Sequence, residues 1–200
     1  MNSFLKTGRS FVSHFYCSRT RSFRSPLRPK TIESSDTSDS SLKPSSVTEP
    51  TSPKKSLDLS ADVLRDEWQQ IIFHHTATPR TSKFNVEWCR SLHVDQRGWS
   101  DIGYHLYIEH DGSISKGRPL NRIGAHCSSK NYEAIGIAVC GGMLADGSYG
   151  ITLTEEQKEA MKECVAELRR CTGKQLPVSG HRDHKSTLCP LFEVKDIFDE

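Results

Sequence analysis

From Gln70 to Thr78 the chain reads Q-I-I-F-H-H-T-A-T. The apolar run is too short for a helix and ends in polar residues, which marks a buried strand closing on two histidines. Working outward, Asn85 is placed to cap a helix carrying Val86, Cys89, Leu92 and His93, with Gly98 as its stop. Tyr104 to Glu109 alternates into Asp111-Gly112, and Ser113 to Lys116 continues beyond it, so a hairpin is expected. Ile135 to Cys140 reads as a second buried strand, closed by Gly141-Gly142. Thr154 and Gln157 have the spacing of a capping box ahead of Ala160, Met161, Cys164, Val165 and Leu168, and Gly173 ends that helix. Leu176 to Ser179 is expected to be a last strand, leading into His181. Strands of this kind interleaved with helices predict an α/β fold, a single domain over 63–200 with a central mixed β-sheet flanked by helices.

The 200 residues and their formal net charge of +2 are unevenly divided. Residues 1–30 carry seven Lys/Arg and no acid, for +7; residues 31–60 sum to -2 and residues 61–200 to -3. The folded part is therefore mildly acidic, which gives a nucleic-acid partner no electrostatic support. No run approaches the roughly 18 to 20 apolar residues of a membrane span.

In the basic segment, Phe4, Leu5, Phe11, Val12, Phe15 and Tyr16 fall on one helical stripe, opposite Lys6, Arg9 and several serines. This is the composition of an organelle transit peptide, and it lacks the apolar core of a secretory signal. The expectation is a mitochondrial or plastid address for residues 1–30, with a plain basic tail on a cytoplasmic or secreted protein as the alternative. Residues 31–62 are dominated by Ser, Thr and Pro and read as a flexible linker, because so little apolar surface cannot offset the entropy of ordering.

Three separated segments hold the polar residues capable of chemistry: F-H-H-T-A-T from Phe73, D-I-G-Y-H from Asp101, and G-H-R-D-H-K-S-T-L-C-P from Gly180. A histidine from the first, with a histidine and a cysteine eight residues apart in the third, would supply two imidazoles and one thiolate. That is a three-ligand zinc site with the fourth position open to water. Mixed nitrogen and sulfur donors suit zinc and serve Mg²⁺ or Ca²⁺ poorly. The alternative leaves these histidines as hydrogen-bonded structural residues. Seven cysteines without a C-x-x-C pair indicate neither a disulfide scaffold nor a zinc ribbon.

Taken together, these blocks resemble the zinc-dependent N-acetylmuramoyl-L-alanine amidases of type 2, which include phage lysozyme amidases and animal peptidoglycan recognition proteins. The resemblance runs from Gln70 to Phe198. It rests on H-H-T-A-T, G-W-S-D-I-G-Y-H, the D-G hairpin followed by G-R, I-G-A-H, I-G-I-A-V-C-G-G, T-x-x-Q before the long helix, and G-H-R-D with C-P.

By position, the resemblance implies that His74, His181 and Cys189 hold zinc, and that the Tyr104 phenol sits beside the metal to orient water or bind the oxyanion. Thr187 matches a position that is Lys in some phage enzymes and Thr in catalytic recognition proteins. A threonine hydroxyl can donate a hydrogen bond but cannot act as a base at neutral pH. His126 matches a groove-lining residue and is expected to contact substrate, with a structural role as the alternative. His75 and His105 are read as structural, and His184 and Lys185 as solvent-facing.

The implied activity is hydrolysis of the amide between N-acetylmuramic acid and the L-alanine of the stem peptide, with peptidoglycan or muropeptides as the partner of a monomeric enzyme. A non-catalytic peptidoglycan receptor is the alternative, and a zinc protein acting on an unrelated amide is a third. The disulfide usual in the animal branch has no counterpart here, since Ser100 follows Trp99 and no cysteine lies between Thr76 and Asn85. That departure favours the phage or bacterial branch.

Overall fold

A computed structural model describes residues 56–198. The leader expected over 1–30 and almost all of the linker lie outside the described residues. The boundary expected at Val63 moves toward the N-terminus, because Leu59 is buried in the main core with Leu57 packed against it. Two leucines separated by one polar residue are too brief a signal to stand out from a Ser/Thr/Pro-rich background.

Among the described residues, seven strands and three α-helices follow in chain order. They are β1 (Gln70–His75), β2 (Thr78–Pro79), α1 (Val86–Ser91), β3 (Leu106–Ile108), β4 (Ile114–Lys116), β5 (Ala134–Val139), β6 (Gly142–Met143), α2 (Glu155–Thr172), β7 (Val178–Gly180) and α3 (Lys195–Phe198). Five strands form a sheet in the order β4-β3-β5-β1-β7, antiparallel only between β3 and β4, while β2 and β6 form a small parallel pair. This is the expected α/β architecture with a mixed sheet. Among the described residues no helix is long and apolar enough to cross a membrane.

Side-chain alternation along the strands assigns the two faces. Ile71 and Phe73 of β1, with Ile135, Ile137 and Val139 of β5, pack on Ala160, Met161, Cys164, Val165 and Leu168 of α2. Burial of the large residues in that stripe contributes about 1.5–3 kcal/mol each. On the other face β5 presents only Ala134, Gly136 and Ala138, paired in register with Gln70, Ile72 and His74 of β1. Small residues there leave room above the sheet, and that room is where the histidines gather.

Three elements differ from expectation. The strand expected at Leu176 starts at Val178, since Leu176 turns into the core and Pro177 has no N–H for a ladder. The helix begun at Val86 changes to a π-helical turn over Leu92–Gln96, where buried His93 accepts the Gly103 N–H at Nδ1 and stacks on Trp99. Tyr104 and His105 precede β3 rather than belonging to it, although the Arg118 N–H still donates to the Tyr104 carbonyl and the Gly117 N–H to that of His105.

Candidate metal centre

His74 is the fifth residue of β1 and is almost fully buried on the sheet face opposite α2. His181 opens a 3-10 turn directly after β7, where the Asp183 carboxylate accepts the Gly180 N–H at 2.8 Å. The chain then loops out and returns, closed by the Arg182 N–H donating to the Cys189 carbonyl at 2.7 Å. That closure brings together two side chains eight residues apart in sequence. β1 and β7 are hydrogen-bonded neighbours, so the loop following β7 is delivered to the end of β1.

One donor atom from each of His74, His181 and Cys189 lies within 4.8 Å of the others. His74 Nδ1 is 3.8 Å from Cys189 Sγ, and the rings of His74 and His181 are 4.5 Å apart between centroids. His181 Nε2 is buried and has no hydrogen-bond partner. A buried ring nitrogen without a partner costs free energy unless something occupies its lone pair. Two imidazoles and a thiol fit a borderline cation in a tetrahedral site, and a hard cation that seeks oxygen is poorly served by them.

The electrostatics agree with this donor set. Burial, followed by the neighbouring histidines, holds His74 well below the usual imidazole range, and burial followed by Lys185 and His184 lowers His181. Both rings therefore present neutral lone pairs at physiological pH. Burial pushes the Cys189 thiol up to about 11, against which the His75 backbone N–H, donated to Sγ at 3.4 Å, favours the thiolate. A bound cation adds to that favour.

Tyr104 stands beside the cluster, its ring 5.2 Å from that of His74 and 5.7 Å from that of His93. Burial raises its pKa above the ordinary phenol value, with the thiols of Cys89 and Cys189 adding to the rise. Thr187 Oγ1 accepts the Cys189 N–H at 3.3 Å, which places the hydroxyl in the loop that carries the thiol.

His126 is not free to contact substrate through its nitrogens. Its Nδ1 is 3.0 Å from His74 Nε2 and its Nε2 is 3.1 Å from the Ala134 carbonyl oxygen, so both are engaged within the protein. The ring lies over Gly136, where any Cβ would collide with it. His184 is not simply solvent-facing either, since its Nε2 meets Ser179 Oγ at 2.8 Å and braces the loop against β7. His75 and His105 take the structural roles expected. His75 Nδ1 accepts the Ala77 N–H, and His105 bridges the Gly136 N–H and the Arg122 carbonyl. Sequence reasoning missed the contact between His126 and His74. The available signal was the glycine and alanine alternating through β5, which leaves space for a ring.

The family model described as N-acetylmuramoyl-L-alanine amidase matches residues 64–191. The endolysin of Klebsiella phage KP32 is 34% identical over 132 residues, covering 66% of this chain and 85% of that protein. The solved endolysin N-acetylmuramoyl-L-alanine amidase LysCS from Clostridium intestinale is 31% identical with a TM-score of 0.52, covering 65% of this chain and 80% of that one. The ectodomain complex of peptidoglycan recognition proteins LCa and LCx, solved with tracheal cytotoxin bound, is 26% identical with a TM-score of 0.56, covering 68% of this chain and 81% of that one.

Proposed function

Since the chain belongs to the N-acetylmuramoyl-L-alanine amidase family, we propose that it is a zinc hydrolase cutting the amide between the lactyl group of N-acetylmuramic acid and the L-alanine of the stem peptide. The observation that carries this is the convergence of His74, His181 and Cys189, with a buried ring nitrogen of His181 left without a partner. Those three side chains would hold the ion. When bound, zinc supplies Lewis acidity at neutral pH to the scissile carbonyl and the attacking water.

The protein's own groups do the rest. Tyr104, with its pKa raised by burial, keeps its proton and donates a hydrogen bond to the carbonyl oxygen as that oxygen gains charge. Thr187 accepts from the Cys189 N–H, which leaves its own hydroxyl proton to be given to the same oxygen. The attacking water loses a proton as its oxygen bonds to the carbonyl carbon, and the departing amine of L-alanine takes up a proton as the C–N bond breaks.

The test is incubation of the purified chain with muropeptides, with and without a chelator, and mass spectrometry for free stem peptide. Release that stops on chelation supports the assignment, and Cys189→Ala should lose bound zinc and turnover together. Full activity in Cys189→Ala or His74→Ala would overturn the ligand set. The recognition proteins solved with tracheal cytotoxin bound favour a second reading, a peptidoglycan receptor. That reading predicts muropeptide binding to the zinc-loaded chain without peptide release.

A further inference from the structure

We infer that His126 is a positioning residue for His74: it relays the Ala134 carbonyl to the His74 ring and so fixes which nitrogen of His74 is left as a lone pair. The relay follows from hydrogen-bond bookkeeping. A carbonyl oxygen only accepts, so the 3.1 Å contact between Ala134 O and His126 Nε2 requires the proton to be on Nε2. A neutral imidazole has one N–H, so His126 Nδ1 is an acceptor. At 3.0 Å it must receive the proton of His74 Nε2. His74 is then protonated at Nε2 and bare at Nδ1, and Nδ1 is the atom that faces Cys189 Sγ at 3.8 Å.

The reverse assignment fails on geometry. A proton on His126 Nδ1 would set its bare Nε2 against the carbonyl oxygen, two acceptors at hydrogen-bond distance. An imidazolium has no support either, because the ring's neighbours are His74, His105 and Tyr104, and the nearby formal charge is that of Arg118.

The fold builds a seat for this ring. The Asn131 side-chain oxygen accepts the N–H groups of His126 and Cys127 at 2.9 and 2.8 Å and fixes the backbone of the turn. A Cβ on Gly136 would run into ring atoms of His126, and one on Gly124 would come within 2.6 Å of its Cδ2. Ala134 and Gly136 lie on β5, which pairs with the strand bearing His74. A single strand pairing therefore sets the carbonyl, the seat and the ligand ring relative to one another. Partners of this kind hold a ligating imidazole in one tautomer and one orientation, and their loss typically lowers metal affinity 10- to 100-fold.

The affinity arm of the test rests on the zinc reading above, and the tautomer arm does not. In metal-free protein with ¹⁵N-labelled histidine, long-range ¹H–¹⁵N correlation should show His74 and His126 both protonated at Nε2, with ring protons protected from exchange. Protonation of either ring at Nδ1 would overturn the relay. Zinc affinity, measured by chelator competition, should fall roughly 10- to 100-fold in His126→Phe. It should be largely kept in His126→Gln, whose amide supplies one acceptor and one donor. A folded His126→Phe with native affinity also counts against the relay. If His126→Phe does not fold, the native spectrum and His126→Gln decide the matter. Two Nε2–H signals in a protein that binds no zinc would sink the metal reading and leave the relay standing.

Discussion

Tyr104 shows how environment narrows what one side chain can do. Its phenol lies beside His74, and burial raises its pKa, so the part proposed for it is that of a hydrogen-bond donor to the carbonyl oxygen. Tyr104→Phe removes that donor without touching the proposed ligands. Zinc content should stay at the native level while turnover falls about 100- to 1000-fold, the usual cost of losing one oxyanion donor. Metal analysis alongside the rate of stem-peptide release checks this, and an undiminished rate would remove Tyr104 from the chemistry. At this scale the sequence was legible where a residue's part depends on its own type and its block. His74, His181 and Cys189 stand in recognisable segments, and the fold brings their donor atoms together. The structural alternative for His126 was the less legible, because its contacts are to a backbone carbonyl eight residues away and to the space left by the missing side chain of Gly136, neither of which has a local pattern.

Among the elements, α2 was the most legible, because its capping box, apolar stripe and terminal glycine are all local signals. The structure has each of them: Thr154 and Gln157 cap one another, and Gly173 ends the helix at a φ of 66°. What the spacing hides is the second task of Gln157. Its buried amide donates 2.9 Å hydrogen bonds to the carbonyls of Glu109 and Cys140, tying the start of α2 to the residues that follow β3 and β5. Gln157→Ala would strand the buried Cys140 carbonyl, at a cost of about 1–3 kcal/mol, and would remove one of two hydrogen bonds to the Glu109 carbonyl, which keeps the Gly112 N–H at 3.1 Å. Thr154→Ala removes only the cap, about 1 kcal/mol. Urea unfolding should therefore show the larger loss for Gln157→Ala with an unchanged m-value. If the two variants lose equally, the tie to the sheet contributes nothing. The short elements were illegible for a related reason. β2 and β6 are two residues each, too few to display any period, and they are held by pairing with one another.

Across the whole molecule, the buried histidines act on stability in one direction. His105 is almost fully buried and burial lowers it to about 4, and His93 is likewise lowered to about 4 by burial and then Arg97. Each also accepts a backbone N–H at Nδ1, from Gly136 and Gly103 respectively, so protonation in the fold would break a hydrogen bond. The unfolded chain takes up these protons near the ordinary value of 6.5, and the native state resists until about 4. Between those limits the unfolded state binds more protons, so stability falls as pH falls. For His105 the contribution present above pH 6.5 is on the order of 3 kcal/mol, lost progressively down to pH 4. Glu109 works the other way, since its raised pKa lets it neutralise early on acidification, and Glu167, lowered to about 2, holds its charge throughout this window. The metal-free protein should therefore melt at a lower temperature at pH 5 than at pH 7.5. His105→Gln retains an acceptor for the Gly136 N–H and a donor for the Arg122 carbonyl without a titrating ring, so the slope between those pH values should become shallower. Equal slopes in the native protein and His105→Gln would show that His105 remains neutral in both states or titrates alike in both.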